Sequence, residues 1–80
     1  MNTYEEVIDF IASGPSPSEI ASFRASEEVN RRVALLIERE KAGTLTAEEK
    51  SELDHYLELE HIMRLTKARA RQRLAHEQPR

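Results

Sequence analysis

Residues 43–75 read GTLTAEEKSELDHYLELEHIMRLTKARARQRLA, and this segment is the most informative about the fold. Thr46 and Glu49 have the spacing of a capping box, in which each side chain bonds the backbone N–H of the other residue. No glycine or proline follows until residue 79. The pattern therefore predicts one long helix over 47–75. Because its apolar residues recur at helical spacing, we expect Leu53 and Leu57 to lie in the core.

Three shorter helices are predicted upstream, over 4–12, 17–23 and 27–42. Each has a start signal, and two are followed by a glycine that favours a left-handed helix end. The start signals are the Thr3–Glu6 box, the Ser16–Glu19 box and the cap Ser26, and the glycines are Gly14 and Gly43.

The short connection between the last two predicted helices favours an antiparallel pair. We therefore predict an all-α fold: a long antiparallel helical hairpin with two short N-terminal helices packed on it. Residues 1–80 are expected to form one domain, ending in a frayed tail over 76–80.

Composition excludes several classes of protein. The chain has 80 residues, no cysteine, two glycines and a net charge of −3. Disulfides, thiolate metal sites and glycine-rich phosphate loops are therefore excluded. The N-terminus does not resemble a signal peptide, and no apolar run is long enough for a membrane span. We expect a cytoplasmic protein without a membrane partner.

Charge is distributed unevenly along the chain. Residues 1–60 carry 14 acidic and 6 basic side chains, a net charge of −8, whereas residues 61–80 carry 6 basic side chains and one acid, a net charge of +5. One interpretation is complementarity with the helix macrodipole, which favours acids at helix starts and bases at helix ends. The other is an interaction tail.

The basic end is the sharpest chemical feature of the sequence. A candidate basic patch comprises Arg64, Lys67, Arg69, Arg71 and Arg73. Such a patch suits a nucleic acid, an acidic protein partner or solvent alone. The overall pI of about 5.6 and the lack of interleaved aromatic residues argue against nucleic acid.

No catalytic motif is evident, and we expect neither an enzyme nor a cofactor. Two Glu-x-x-His motifs, Glu52–His55 and Glu58–His61, have a spacing used in carboxylate metal bundles. Such sites need the motif on two different helices, whereas both copies lie on one predicted helix. A metal-binding bundle is therefore the weakest alternative, and we predict no metal site.

The long helix has more apolar surface than one partner helix covers, and its C-terminal turns extend beyond the preceding helix. We therefore predict a homodimer formed mainly through this helix. The candidate partner or dimer interface comprises Ile62, Met63, Leu65, Leu74 and Leu35.

Three stretches of the sequence are similar to known proteins: Tyr4–Gly14, Phe23-Arg-Ala-Ser-Glu27 and the run from Gly43 to Arg71. Through them the chain resembles a group of short all-helical bacterial proteins, common in cyanobacteria. The resemblance implies the small partner of a gene pair, beside a nuclease or toxin-like gene. The expected function is a non-enzymatic, antitoxin-like interaction protein that neutralises a protein partner, and the alternative is a small nucleic-acid-binding regulator.

Overall fold

The computed structural model describes Thr3 to Glu77, with the backbone alone at Glu77. This part of the chain contains four α-helices and no β-strand, which confirms the all-α class. The helices are α1 (Thr3–Ala12), α2 (Pro17–Ser22), α3 (Glu27–Ala42) and α4 (Ala47–Glu77). The predicted 76–80 tail is corrected in part, because α4 continues through residue 77, and 78–80 lie outside the described residues.

Helix α4 sets the shape of the molecule. Its 31 residues span ~46 Å at ~1.5 Å per residue, close to the longest dimension of 53 Å. Helices α1, α2 and α3 all pack against α4, and α1 also contacts α3. The two short N-terminal helices therefore fold back on the long helix, as predicted.

Local signals set most of the helix ends. The Ser16–Glu19 box is complete, with both backbone N–H groups bonded to the reciprocal side chains. The Thr46–Glu49 box is also complete, at 3.0 and 3.1 Å. Gly43 ends α3 in the left-handed conformation, with φ of 74°. These three predictions are confirmed, because each depends on residues that are close in sequence.

The predicted box at Thr3 is wrong. Thr3 lies within α1, and its backbone N–H donates to Glu52 Oε2 at 3.1 Å, while its hydroxyl is buried without a hydrogen bond among the described residues. Glu6 instead accepts from the backbone N–H of Ser26 at 2.9 Å. Packing between distant segments thus replaces the local pairing.

Ion pairs join α3 to the start of α4. Arg39 pairs with Glu49, and Arg32, two turns earlier in α3, pairs with Glu52 at 3.1 Å. This order is the one that oppositely directed helices produce. The full length of the predicted hairpin stays a prediction.

The main core cluster draws on three helices. Val7, Val29, Tyr56 and Met63 are buried together, and partly buried residues of α1, α2 and the following loop pack around them. Among these is Phe10, whose ring lies 4.3 Å from that of Phe23. Leu36 and Leu53 are almost completely buried.

Two predictions about α4 are corrected by this packing. Leu57 is 42% exposed rather than a core residue, because the buried seam follows Leu53, Tyr56, Met63 and Ala70 on another side of the helix. Met63 is 5% exposed within a single chain and has no surface to offer to a partner.

Candidate functional site

The first candidate site is a groove between α1 and α4. Two contacts hold these helices together beside it. The Thr3 N–H donates to Glu52, and the ring of Tyr4 lies 5.2 Å from that of His55. These contacts fix α1 beside the middle of α4. We define the α1–α4 groove by Tyr4, Ile8, His55, Leu59 and Ile62, which line it with other residues of α4.

The groove is apolar where it is most open. Ile8 is 45% exposed and Ile62 is 50% exposed, while Tyr4 and Leu59 are partly buried. Single exposed apolar residues are ordinary, but exposed apolar residues from two helices that line one groove indicate a contact surface. Asp54, Glu58 and Lys50 also line this region. Because Lys50 pairs with Asp54, these three side chains leave one net negative charge on the α4 side.

Glu52 anchors the base of this arrangement. Burial opposes its ionisation, but hydrogen bonds from the Arg32 guanidinium and the Thr3 N–H outweigh that effect and hold the pKa of Glu52 below its ordinary value. The same hydrogen bond raises the pKa of Arg32. Glu52 therefore remains a carboxylate that ties α1 and α3 to α4.

Tyr56 lies in the core cluster and lines a different groove, together with Glu60 and Met63 of α4 and the loop after α2. Burial is the main cause that raises the pKa of its phenol, and the nearby carboxylates Glu60 and Glu6 act in the same direction. The phenol therefore stays neutral at physiological pH, which suits a packing role.

The predicted interface residues fall into two groups. Ile62, Leu65 and Leu35 are exposed by 50%, 61% and 39% respectively. Met63 is buried and Leu74 is partly buried. The exposed members lie on α4 and α3 and do not all share one groove.

The predicted basic patch is divided by the helix. Arg64, Lys67 and Arg71 line a second groove together with Arg24 from the loop after α2. Arg69 and Arg73 do not line it. We call this the basic groove, although it also contains the acidic Glu27 and Glu60.

Lys67 is already engaged within the chain. Its Nζ donates to the backbone carbonyl of Phe23 at 2.6 Å and lies 5.9 Å from the centre of the Phe23 ring. This lysine holds the end of α2 against α4, so it is less available to an external phosphate than Arg64 or Arg71, which are exposed.

The two Glu-x-x-His motifs do not converge. Glu52 is bonded to Arg32 and Thr3, whereas His55 lies against Tyr4 and 3.4 Å from the Ser51 hydroxyl. Among the side chains that the structure describes, residues 3–76, there is no group of three or more histidine, cysteine or acidic residues arranged to hold a metal ion.

Sequence reasoning missed two important residues. Glu52 was treated as part of a metal motif, although its position one residue before Leu53 puts it beside the buried seam. Arg24 had no sequence signal, because only the fold of α2 against α4 brings it to Arg64 and Arg71.

None of the described helices is both long and apolar enough to span a bilayer. Comparison with known protein families, with curated proteins and with solved structures gave no match.

Proposed function

We propose that this chain is a non-enzymatic interaction protein that binds another protein through the α1–α4 groove. The observation that carries the proposal is the exposed pair Ile8 and Ile62, on two helices that frame one groove. A chain this small buries a limited share of its apolar surface within itself, and a partner that covers these side chains would bury more of it.

Charge indicates the kind of partner. Residues 1–60 have a net charge of −8, and the groove is bordered by Asp54 and Glu58. A partner with an apolar patch surrounded by basic side chains fits this surface, and its association would be accelerated by electrostatic attraction. Antitoxin-like neutralisation of a basic protein, such as a toxin or a nuclease, is the specific form of this proposal.

Affinity capture with the full-length chain tests the proposal. A protein from the source cell should bind the wild-type chain, with less recovered as salt rises because the attraction is screened. Ile8→Ser should lose that protein. Leu35→Ser is the matched control, since Leu35 is similarly exposed but does not line the groove.

The purified partner then gives a functional readout. If the partner is a nuclease, the wild-type chain and Leu35→Ser should inhibit it and Ile8→Ser should not. Equal capture by all three chains would contradict the groove as the site, and recovery of nucleic acid without protein would overturn the interaction-protein proposal.

The alternative is nucleic-acid binding through the basic groove. The observation that favours it is the convergence of Arg24 with Arg64 and Arg71. Nucleic-acid binding should fall steeply as salt rises and should be strongly weakened by charge reversal of either Arg64 or Arg71 alone. Charge reversal of Arg31, an exposed arginine of α3 outside this groove, is the control for net charge.

A further inference from the structure

On the outer side of α4, opposite the buried seam, the exposed side chains change from acidic to apolar to basic along the helix. We define the outer strip by Asp54, Glu58, Ile62, Leu65, Arg69 and Arg73. All six side chains are exposed, and the strip is ~29 Å long at ~1.5 Å per residue.

The spacing along this strip is that of a helix seam. Glu58, Ile62, Leu65 and Arg69 are separated by four, three and four residues, the alternation that keeps side chains on one side of a helix and permits packing against another helix. The buried seam on the other side of α4 has a similar alternation. Leu53, Tyr56, Glu60 and Met63 are separated by three, four and three residues. Helix α4 thus has two seams, and the fold fills only one.

We infer that the outer strip binds the outer strip of a second copy of this chain, in antiparallel orientation about a two-fold axis between Ile62 and Leu65. An isologous contact of this kind requires a surface that is complementary to itself. With the axis at this position, Ile62 packs on Leu65 of the second copy. Glu58 then faces Arg69 of the second copy, and Asp54 faces Arg73 of the second copy.

Charge complementarity is what selects a second copy as the occupant. Among the described side chains of residues 3–76, Glu58, Arg69 and Arg73 form no ion pair with one another or with a neighbour, and Asp54 has one exposed contact with Lys50 at 3.6 Å. A parallel arrangement would oppose acid to acid and base to base, which disfavours binding. Only the antiparallel arrangement matches both charged ends and both apolar residues at once.

This inference rests on the proposed function, because the strip shares Ile62, Asp54 and Glu58 with the region around the α1–α4 groove. It names the occupant of the α4 side of that surface. The second copy then covers Asp54, Glu58 and Ile62, so a different protein that binds these residues competes with dimerisation, while Tyr4 and Ile8 on the α1 side stay free in the dimer.

Sedimentation equilibrium of the full chain over a range of concentrations tests the inference. The wild-type protein should shift from 9.2 kDa to twice that mass as concentration rises. Leu65→Glu should remain at the monomer mass. Leu57→Glu is the matched control and should dimerise, because Leu57 is also exposed but lies outside the strip.

A charge swap tests the register. Glu58→Arg and Arg69→Glu should each weaken dimerisation, because each places like charges opposite one another, and the double variant should restore it. Circular dichroism should give the same helix content for every chain. A wild-type protein that stays at 9.2 kDa would refute the dimer, and a dimer that the double variant fails to restore would refute the register.

These results separate this inference from the proposed function. A monomeric wild-type chain that still captures a protein, and loses it on Ile8→Ser, would leave the α1–α4 groove in place as a binding site. A dimer without any captured protein would overturn the binding of a different protein and support the self-association alone.

Discussion

Two leucines one turn apart on α4 offer a direct test of the packing. Leu53 is 1% exposed, whereas Leu57 is 42% exposed. Replacing each with alanine removes the same atoms from the same helix, so helix propensity and composition cancel in the comparison. The difference in the free energy of unfolding therefore reports burial.

The expected magnitude follows from the two environments. Leu53→Ala removes a fully buried side chain and leaves a cavity, which costs ~2–5 kcal/mol. Leu57→Ala, at a half-exposed position, should cost about 0.5 kcal/mol or little more. Since an 80-residue chain typically has a free energy of unfolding of ~4–12 kcal/mol, the first variant should lose a large share of its stability.

Urea unfolding followed by circular dichroism measures both values. All chains should be compared at one protein concentration, because self-association adds stability that depends on concentration. An unchanged dependence of unfolding free energy on urea would show that the variants alter stability and not the extent of unfolding. Values for Leu53→Ala and Leu57→Ala within about 0.5 kcal/mol of each other would refute the assigned buried side of α4.

Two further outcomes concern Glu52 and Gly43. Since the pKa of Glu52 is lowered in the folded chain, its contribution to stability is present above the pKa of an unfolded glutamate and is lost as the pH falls through the lower folded value. Thermal unfolding across the acid range should show this loss, and Glu52→Gln should flatten it; an equally steep dependence in the variant would assign the loss to other groups. Gly43→Val should destabilise the chain by ~1–2 kcal/mol in urea unfolding, because a left-handed conformation is costly for any residue with a Cβ. Nothing lies within 4 Å of a Cβ built there, so a much larger loss would contradict a purely backbone cause.

The sequence identifies the apolar residues of α4, but it does not show which of them lie on the buried side of the helix and which on the exposed side. Apolar side chains occur around much of this helix, so periodicity alone fits more than one buried direction. The packing of α1 and α2 decides the matter, because it covers Tyr56 and Met63 and leaves Leu57, Ile62 and Leu65 exposed. Met63 is buried by this packing and therefore does not belong to the predicted interface.

The basic residues were also predicted as one patch and proved to be two sets. Helical geometry separates Arg69 and Arg73 from Arg64 and Arg71, while the loop after α2 contributes Arg24. A sequence shows which cations are near one another along the chain. It does not show which of them bonds to a distant segment, as Lys67 does to the backbone carbonyl of Phe23 in the loop after α2.

The all-α class and most helix ends follow from local sequence signals. The boxes at Ser16–Glu19 and Thr46–Glu49 and the turn at Gly43 act over a few residues, so their hydrogen bonds need no partner from a distant part of the chain. The tertiary structure alone decided the partners of Thr3, Glu6 and Glu52. Those groups bond across up to 49 positions, and a carboxylate near several donors takes the ones that packing brings into the desolvated interior, where a hydrogen bond to a charge is strongest.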